Sequence, residues 1–456
     1  MSSLLDTLLA QATGLPSVAT SNTHTQSTDP QVASLGWPLN RPPDSELAPP
    51  TAQQDVFKAF SNAGFPQMTA RVCRESFQSS DAFCIWLCYS DLNNEYGNGG
   101  WGPTPLSPTP PPYSIQPVSG YGLGIVANRP IKTGETILIE RPIAIYPANI
   151  TSNSMHTNGQ WGAIEDMYET VFPVLGETEK SVYMELWNCK PLTGTLGNKF
   201  TGIARTNGLH IRFTRSQFLP SYAGVFPSIS RCNHCCGPNA DTSFDEDTMS
   251  MRLFALRPIA AGEQVTIGYV VTFLPAMFRQ AELQQKYLFT CECKHCKPTV
   301  ASTPSRPLKH PYWASSAGGI LSSVSPSDQR RCIQIAFRTE HAQKMWVEWI
   351  SPSSKDTDRA FFDFHEDALV VLAQEGLEHT RIDHIAYLAH GCAALGDADG
   401  FKRWGNVLIS LSAWTHGKEG VLQMKAWQDW VREPTFSPAW GLRVRSKAKG
   451  KQKCLA

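Results

Sequence analysis

The stretch that most constrains this chain is Arg231-Cys-Asn-His-Cys-Cys-Gly-Pro-Asn239. Two Asn, one His and three Cys fall within nine residues, closed by a Gly-Pro turn. The stretch has no apolar periodicity, so core packing does not account for its composition. Thiols and polar side chains crowded onto one turn mark a place where backbone, ligand and metal can meet. Three other segments read as its partners: Gly122 to Glu135, Gly262 to Tyr269, and Phe289 to Cys296.

In the last of these, Cys291, Cys293 and Cys296 form C-x-C-x2-C. Three thiols so close together on a polar turn suit tetrahedral zinc, which takes one further ligand. The alternative, free thiols, would leave an exposed reactive cluster. Spacing leaves the fourth ligand open among Cys236, Cys235, Cys232 and a histidine. His295 is poorly placed, because it sits inside the short loop that the three thiols must wrap. A ligand from 232–236 would tie the two segments together and make zinc an organiser of the site rather than its reagent.

The other cysteines read differently. Cys73, Cys84 and Cys88 lie near Phe83, Ile85, Trp86 and Leu87, which favours buried thiols over metal ligands. A cysteine nucleophile with His234 as its base is disfavoured, since neighbours in a turn rarely reach each other in the needed geometry. Thirteen cysteines with no basic, apolar leader over Met1 to Ala10 point to a reducing, intracellular setting: nucleus, cytoplasm or both. Cys454 is third from the end, which does not fit the prenylation pattern.

Gly120-x-Gly-x-Gly124, with Glu140 downstream, invites a dinucleotide-binding assignment. It fails on two counts. The third glycine comes one residue early, and Pro130 with Gly134 forbids the helix that would receive a pyrophosphate. What remains is a Gly-x-Gly entering a strand, useful where a ligand approaches the backbone closely.

Forty basic and forty acidic residues leave no net field toward nucleic acid or membrane, so direct nucleic-acid binding is not expected. No window is apolar enough to span a bilayer. Residues 1–52 are rich in Ser, Thr, Pro and Gln and read as a disordered tail. Residues 53–92 read as an N-terminal helical segment, with Val56, Phe57 and Phe60 at helical spacing and an apolar run from Ala82 to Tyr89. A Pro/Gly linker covers 93–112.

From 113 to 297 short apolar runs bounded by Gly and Pro predict a mostly β domain, with a helical insertion at about 147–220 centred on Trp161 to Trp187. Pro275 to Tyr287 is predicted helical. After a Ser/Pro-rich linker over 298–325, residues 326–432 predict successive antiparallel helices, with Gly396-Asp397 as a stop and restart. His365, His384 and His390 fall there and read as satisfied or exposed structural histidines. The basic tail over 433–456, with Arg443 to Lys453 at its heart, is predicted disordered, either a nuclear signal or a solubilising end. The fold class is therefore α+β.

The order Gly122-x-Gly124, Asn233-His234-x-Cys236-x-Pro238-Asn239, Gly262-Glu263 to Tyr269, then the Cys triplet resembles the SET-domain protein methyltransferases with their post-SET zinc module. Ser230-Arg231 and Thr206-Asn207 add to the likeness. It covers roughly 113–297, and the helical region after it is similar to that of the SET- and MYND-domain proteins. Their MYND finger is lacking here, since the insertion between 147 and 220 holds only Cys189.

The resemblance implies a pseudoknotted SET fold, S-adenosylmethionine as cofactor and a protein lysine, histone or non-histone, as substrate. It implies that Gly122, Gly124, Asn207, Asn233, His234, Tyr269 and Phe289 bind cofactor, with Tyr269 also at the methyl-transfer centre. It implies that Cys236, Cys291, Cys293 and Cys296 hold zinc. Two positions depart from the family pattern: Cys235 stands where Ser or Asp is usual, and Gly268 where Ser is common. A non-catalytic SET-like zinc scaffold that binds partners through its helical region is the alternative.

Overall fold

The computed structural model describes residues 68–73, 82–89, 106–148, 171–190, 199–211, 213, 222–297, 307–310, 325–337, 342–354, 357–412 and 417–454. The N-terminal tail, most of both linkers and residues 161–170 of the insertion lie outside these.

The chain opens not on helices but on a hairpin. Strands β1 (Met68–Cys73) and β2 (Cys84–Tyr89) pair antiparallel, with Val72 opposite Ile85 and Cys73 opposite Cys84. The helical expectation for 53–92 is therefore corrected where the segment is described, and 53–67 lies outside. The reason is burial on both faces. Strand β2 sits inside a five-stranded sheet, between β1 and β6 (Ala144–Pro147), followed by β8 (Tyr222–Val225) and β7 (Gly208–Ile211). Ile85 and Leu87 enter one core with Val72, Tyr183 and Ile203, whereas Cys84, Trp86 and Cys88 enter the other with Ile125, Ile211 and Phe226. A strand filled on both sides shows no polar alternation, so its apolar run looks like a buried helix. Each such side chain contributes about 1.5–3 kcal/mol. Cys73, Cys84 and Cys88 are thus the buried thiols expected.

The second core is closed by three further β units. Strands β3 (Tyr113–Val118) and β4 (Gly122–Ala127) form a hairpin. Strand β5 (Thr136–Glu140) borders β11 (Ser250–Ala255), which pairs with β10 (Ala240–Asp245). Two residues of the central motif, β9 (Asn233–His234), run parallel to β12 (Thr266–Ile267). The insertion contributes a 3-10 turn at Phe172–Val174 and helices α1 (Glu177–Met184) and α2 (Lys199–Asn207). Helix α3 (Ala276–Tyr287) then leads into the Cys triplet.

Helices α4 (Pro326–Ala336), α5 (Ala342–Ile350), α6 (Asp358–Glu375), α7 (Arg381–Leu395), α8 (Ala398–Ser412) and α9 (Gly417–Arg432) follow. The Thr357 hydroxyl caps α6, accepting from the Ala360 N–H at 3.1 Å. Gly396, at φ 74°, ends α7, and Asp397 accepts from the Gly400 N–H at 2.9 Å to start α8, the stop and restart read from Gly396-Asp397. The tail differs from expectation: α10 spans Leu442–Cys454. Arg443 is its anchor, buried, stacked over Trp349 and bonded to Asp358 Oδ1 at 3.0 Å. A count of basic residues misses this, because one buried cation with a carboxylate and a ring outweighs the repulsion along the tail.

The helical region is seated on the β domain. Phe254 and Leu256 share a core with Ile385, Leu408 and Leu411, and the Arg381 guanidinium donates to the Leu256 carbonyl at 2.7 Å. The architecture is α+β. Among the described residues, no helix is long and apolar enough to cross a membrane.

Candidate active site and metal centre

Four sulfurs converge where the motif meets the Cys triplet. The Sγ atoms of Cys236, Cys291, Cys293 and Cys296 all lie within 4.8 Å of one another. Cys236 is 4.0 Å from Cys291 and 3.3 Å from Cys296. A zinc ion with thiolates at about 2.3 Å in tetrahedral array sets its sulfurs about 3.8 Å apart, so this donor set fits zinc. Four thiols at such distances cannot all ionise without a cation among them, and a divalent metal meets that need.

Local structure fixes the triplet. The Gln280 side chain accepts from the Cys291 N–H at 2.9 Å and donates to its carbonyl at 2.7 Å. Arg279, fully buried, donates to the His295 carbonyl at 2.8 Å and reaches Cys296 Sγ at 3.7 Å. The candidates left open by spacing are now sorted. Cys236 joins the cluster. Cys232 is buried elsewhere in the core, Cys235 accepts from the Gly237 N–H at 3.4 Å and hydrogen-bonds to Cys293 without joining the set of four, and His295 points at Gly237 and Gly376.

His234 links this centre to Tyr269. Its Nδ1 accepts the Tyr269 N–H at 3.0 Å, so the neutral ring carries its proton on Nε2, which lies 3.2 Å from Cys236 Sγ. Burial holds its pKa down at about 4, and the imidazole stays neutral. Both ring nitrogens are engaged within the protein, so what His234 offers a ligand is its main chain.

Tyr269 donates its hydroxyl to the Cys232 carbonyl at 2.6 Å, and its ring lies 4.8 Å from that of Tyr287 and 5.4 Å from His234. Burial pushes its phenol well above the ordinary value, so the hydroxyl remains a donor. The Phe289 ring lies 6.1 Å from that of His234.

The glycine strand meets the motif. Asn233 Nδ2 donates to the Leu123 carbonyl at 3.3 Å. Gly120, at φ 78°, sits in the 119–121 turn of the hairpin, and Gly122, at φ 73°, opens β4. A Cβ on Gly124 would stand 2.7 Å from Asn233 Nδ2 and 3.0 Å from Gln264 Nε2, so a larger residue here would have to push these two amides aside. Gln264 Nε2 is buried and has no acceptor among the described residues. A tight glycine cradle with an orphaned donor beside it suits a polar cofactor. Asn207 is placed differently: its amide donates to the Trp187 and Ile203 carbonyls at 2.7 and 2.8 Å, closing α2. It supports the motif through its own carbonyl, which accepts from Ser230 Oγ at 2.9 Å.

Sequence reasoning missed the roles of Tyr287 and Glu140, and missed Arg331 altogether. Tyr287 appeared only as a helix end, and only its return beside Tyr269 gives it meaning. Arg331 has no local signal: fully buried in α4, it donates to the Glu375 carbonyl at 2.6 Å and to the Thr272 and Cys236 carbonyls, tying the helices to the metal centre.

Residues 122–270 match the SET domain family model, and this part of the chain is a SET domain. Among curated relatives, histone-lysine N-methyltransferase ASHR1 of Arabidopsis thaliana is 37% identical over 81 residues, 18% of this chain and 16% of that protein. Protein-lysine N-trimethyltransferase SMYD5 of Gallus gallus is 39% identical over 77 residues, 16% of this chain and 18% of that protein. Histone-lysine N-methyltransferase set5 of Schizosaccharomyces pombe is 27% identical over 184 residues, 40% of this chain and 50% of that protein. The matches thus span from 16% to 50% of these relatives.

Proposed function

We propose that this chain is a protein lysine N-methyltransferase that uses S-adenosylmethionine and holds one structural zinc. The substrate is a lysine of an intracellular protein, histone or non-histone. The observation that supports it most is the pairing of Asn233 with Gly124 inside the segment that matches the SET domain, and of Tyr269, at its end, with Tyr287 just beyond it.

When bound, S-adenosylmethionine supplies an electrophilic methyl on a sulfonium. The chain has to deliver a neutral amine to it in line. A free lysine titrates near pH 10.4, so shedding its proton at neutral pH costs roughly 4 to 5 kcal/mol. The half-buried rings of Tyr269 and Tyr287 exclude water and disfavour the ammonium form. The Tyr269 phenol, kept protonated by burial, orients rather than exchanges protons. Gly124, Asn233 and the free amide of Gln264 would hold the cofactor, and Cys236, Cys291, Cys293 and Cys296 the zinc.

The test is transfer of labelled methyl from S-adenosylmethionine to proteins of a cell extract. Tyr269→Phe keeps the ring packing and loses one oxygen. We expect it to fold, keep zinc and bind cofactor by calorimetry, yet transfer methyl about a hundredfold more slowly, the size of one lost positioned contact. Equal transfer by both proteins removes Tyr269 from the mechanism. Cofactor binding without transfer by the wild type favours the zinc scaffold, with Cys235 and Gly268 as marks of a lapsed centre.

A further inference from the structure

Glu140, the last residue of β5, carries a carboxylate that neither the metal centre nor the cofactor cradle uses. Its Oε1 accepts two main-chain N–H groups, from Ser228 at 2.8 Å and Ile229 at 2.6 Å. These open a single 3-10 turn, Ile229–Arg231, that delivers the chain to Cys232. The Cys232 carbonyl is the acceptor of the Tyr269 hydroxyl at 2.6 Å. We propose that Glu140 is a positioning residue for methyl transfer, setting through this turn the carbonyl that aims the Tyr269 hydroxyl. The proposal rests on the methyltransferase reading above.

The physical case is one of short, stiff links. A carboxylate that accepts two adjacent N–H groups holds both more tightly than a neutral acceptor does. The turn is three residues long, and the Cys232 N–H is itself bonded to the Ile229 carbonyl at 3.0 Å, so displacement at 228–229 carries to Cys232. Cys232 is fully buried and cannot relax sideways.

The surroundings make this carboxylate titratable in the working range. Burial raises it to about 7, against the hydrogen bonds from Ile229 and Ser228, which lower it. The groups facing it are the Ser228 hydroxyl, the Tyr113 phenol on β3 and the Cys232 thiol, the last two both pushed up by burial and by Glu140 itself. Across the sheet its partner is Met251, which carries no charge, and neighbouring Arg141 is turned to the Thr248 carbonyl. Ionised Glu140 grips the turn and neutral Glu140 grips it less, so turnover should rise with pH through this range.

Glu140→Gln is the informative variant, since the amide oxygen keeps an acceptor while the charge goes. Glu140→Ala strands two buried donors and risks failure to fold. Methyl transfer from labelled S-adenosylmethionine to cell-extract protein is measured from about pH 6 to 9, with zinc content and thermal unfolding as folding checks. We expect a wild-type inflection near pH 7 that is absent in Glu140→Gln. The variant's limiting rate at alkaline pH should be about tenfold lower, with the KM for S-adenosylmethionine unchanged. A variant that keeps the wild-type inflection, whether or not its rate falls, overturns the positioning role and leaves the methyltransferase reading standing. Absence of any transfer by wild type overturns that reading, and this proposal with it.

Discussion

The metal centre and the helical region bury the same kinds of side chain to opposite ends. Around residues 232–296, Cys236, Cys291, Cys293 and Cys296 aim their sulfurs at one point, and His234 and Arg279 face that point too. In the helices the polar groups pair locally instead of converging, and His365 Nε2 and His390 Nδ1 stay buried without a hydrogen-bond partner among the described residues. His365 Nδ1 lies 3.0 Å from His384 Nδ1, His384 Nε2 lies 3.2 Å from Gln334 Oε1, and His390 packs on Trp427. Four thiols converging on one point call for an ion, whereas side chains that meet in pairs or pack on rings form no such donor set. Residue type does not tell these apart; the direction in which the groups point does.

The sharpest way to break the contrast is to remove one converging thiol. Metal analysis of Cys293→Ser should fall from about one zinc per chain to none, with several kcal/mol of stability lost, because binding energy in such sites is folding energy. Cys235→Ser, one residue from a ligand, should keep its zinc. Equal loss in both would put Cys236 in doubt as the fourth ligand.

Acid tests the other region. Burial drives His365 well below its ordinary value and holds His390 near about 3, so both stay neutral in the folded protein. Unfolded, each binds a proton below about pH 6.5. The unfolded state then holds more protons, so stability is full above about pH 6.5 and falls as pH drops toward 3. The slope is up to about 1.4 kcal/mol per pH unit for each histidine. Denaturant unfolding at several pH values measures this, best on His390→Gln against wild type, whose slopes should differ. Identical slopes would mean that His390 titrates alike in both states.

The smallest effect is at a buried thiol outside the four-sulfur cluster. Cys88→Ala removes one sulfur from the core beside Trp86 and should cost about 1 kcal/mol by thermal unfolding, with zinc content unchanged. Any loss of zinc there would blur the line between the two classes of cysteine.

Much of the site was legible because its chemistry is carried by short motifs. The C-x-C-x2-C triplet announced a metal, and its spacing left only the fourth ligand to be found. Gly124 was legible as a place of close approach, although what approaches, Asn233 and Gln264, was not. His234 was legible as a site residue but not in its working. The motif does not say that both ring nitrogens turn inward, one to the Tyr269 amide and one to Cys236.

By itself, then, the sequence determined the α+β class, the order of the motif segments, the metal triplet and the helices of the C-terminal region. All of these are local properties: spacing, periodicity and turn chemistry act over a few residues. Only the tertiary structure decided that 84–89 is a strand, because burial on both faces erases the alternation that would reveal one. It alone decided that Arg443 anchors a helix in a basic tail, that Tyr287 returns beside Tyr269, and that Glu140 grips the turn before Cys232. Each depends on a partner from 18 to 94 positions away, beyond the reach of local spacing and turn chemistry.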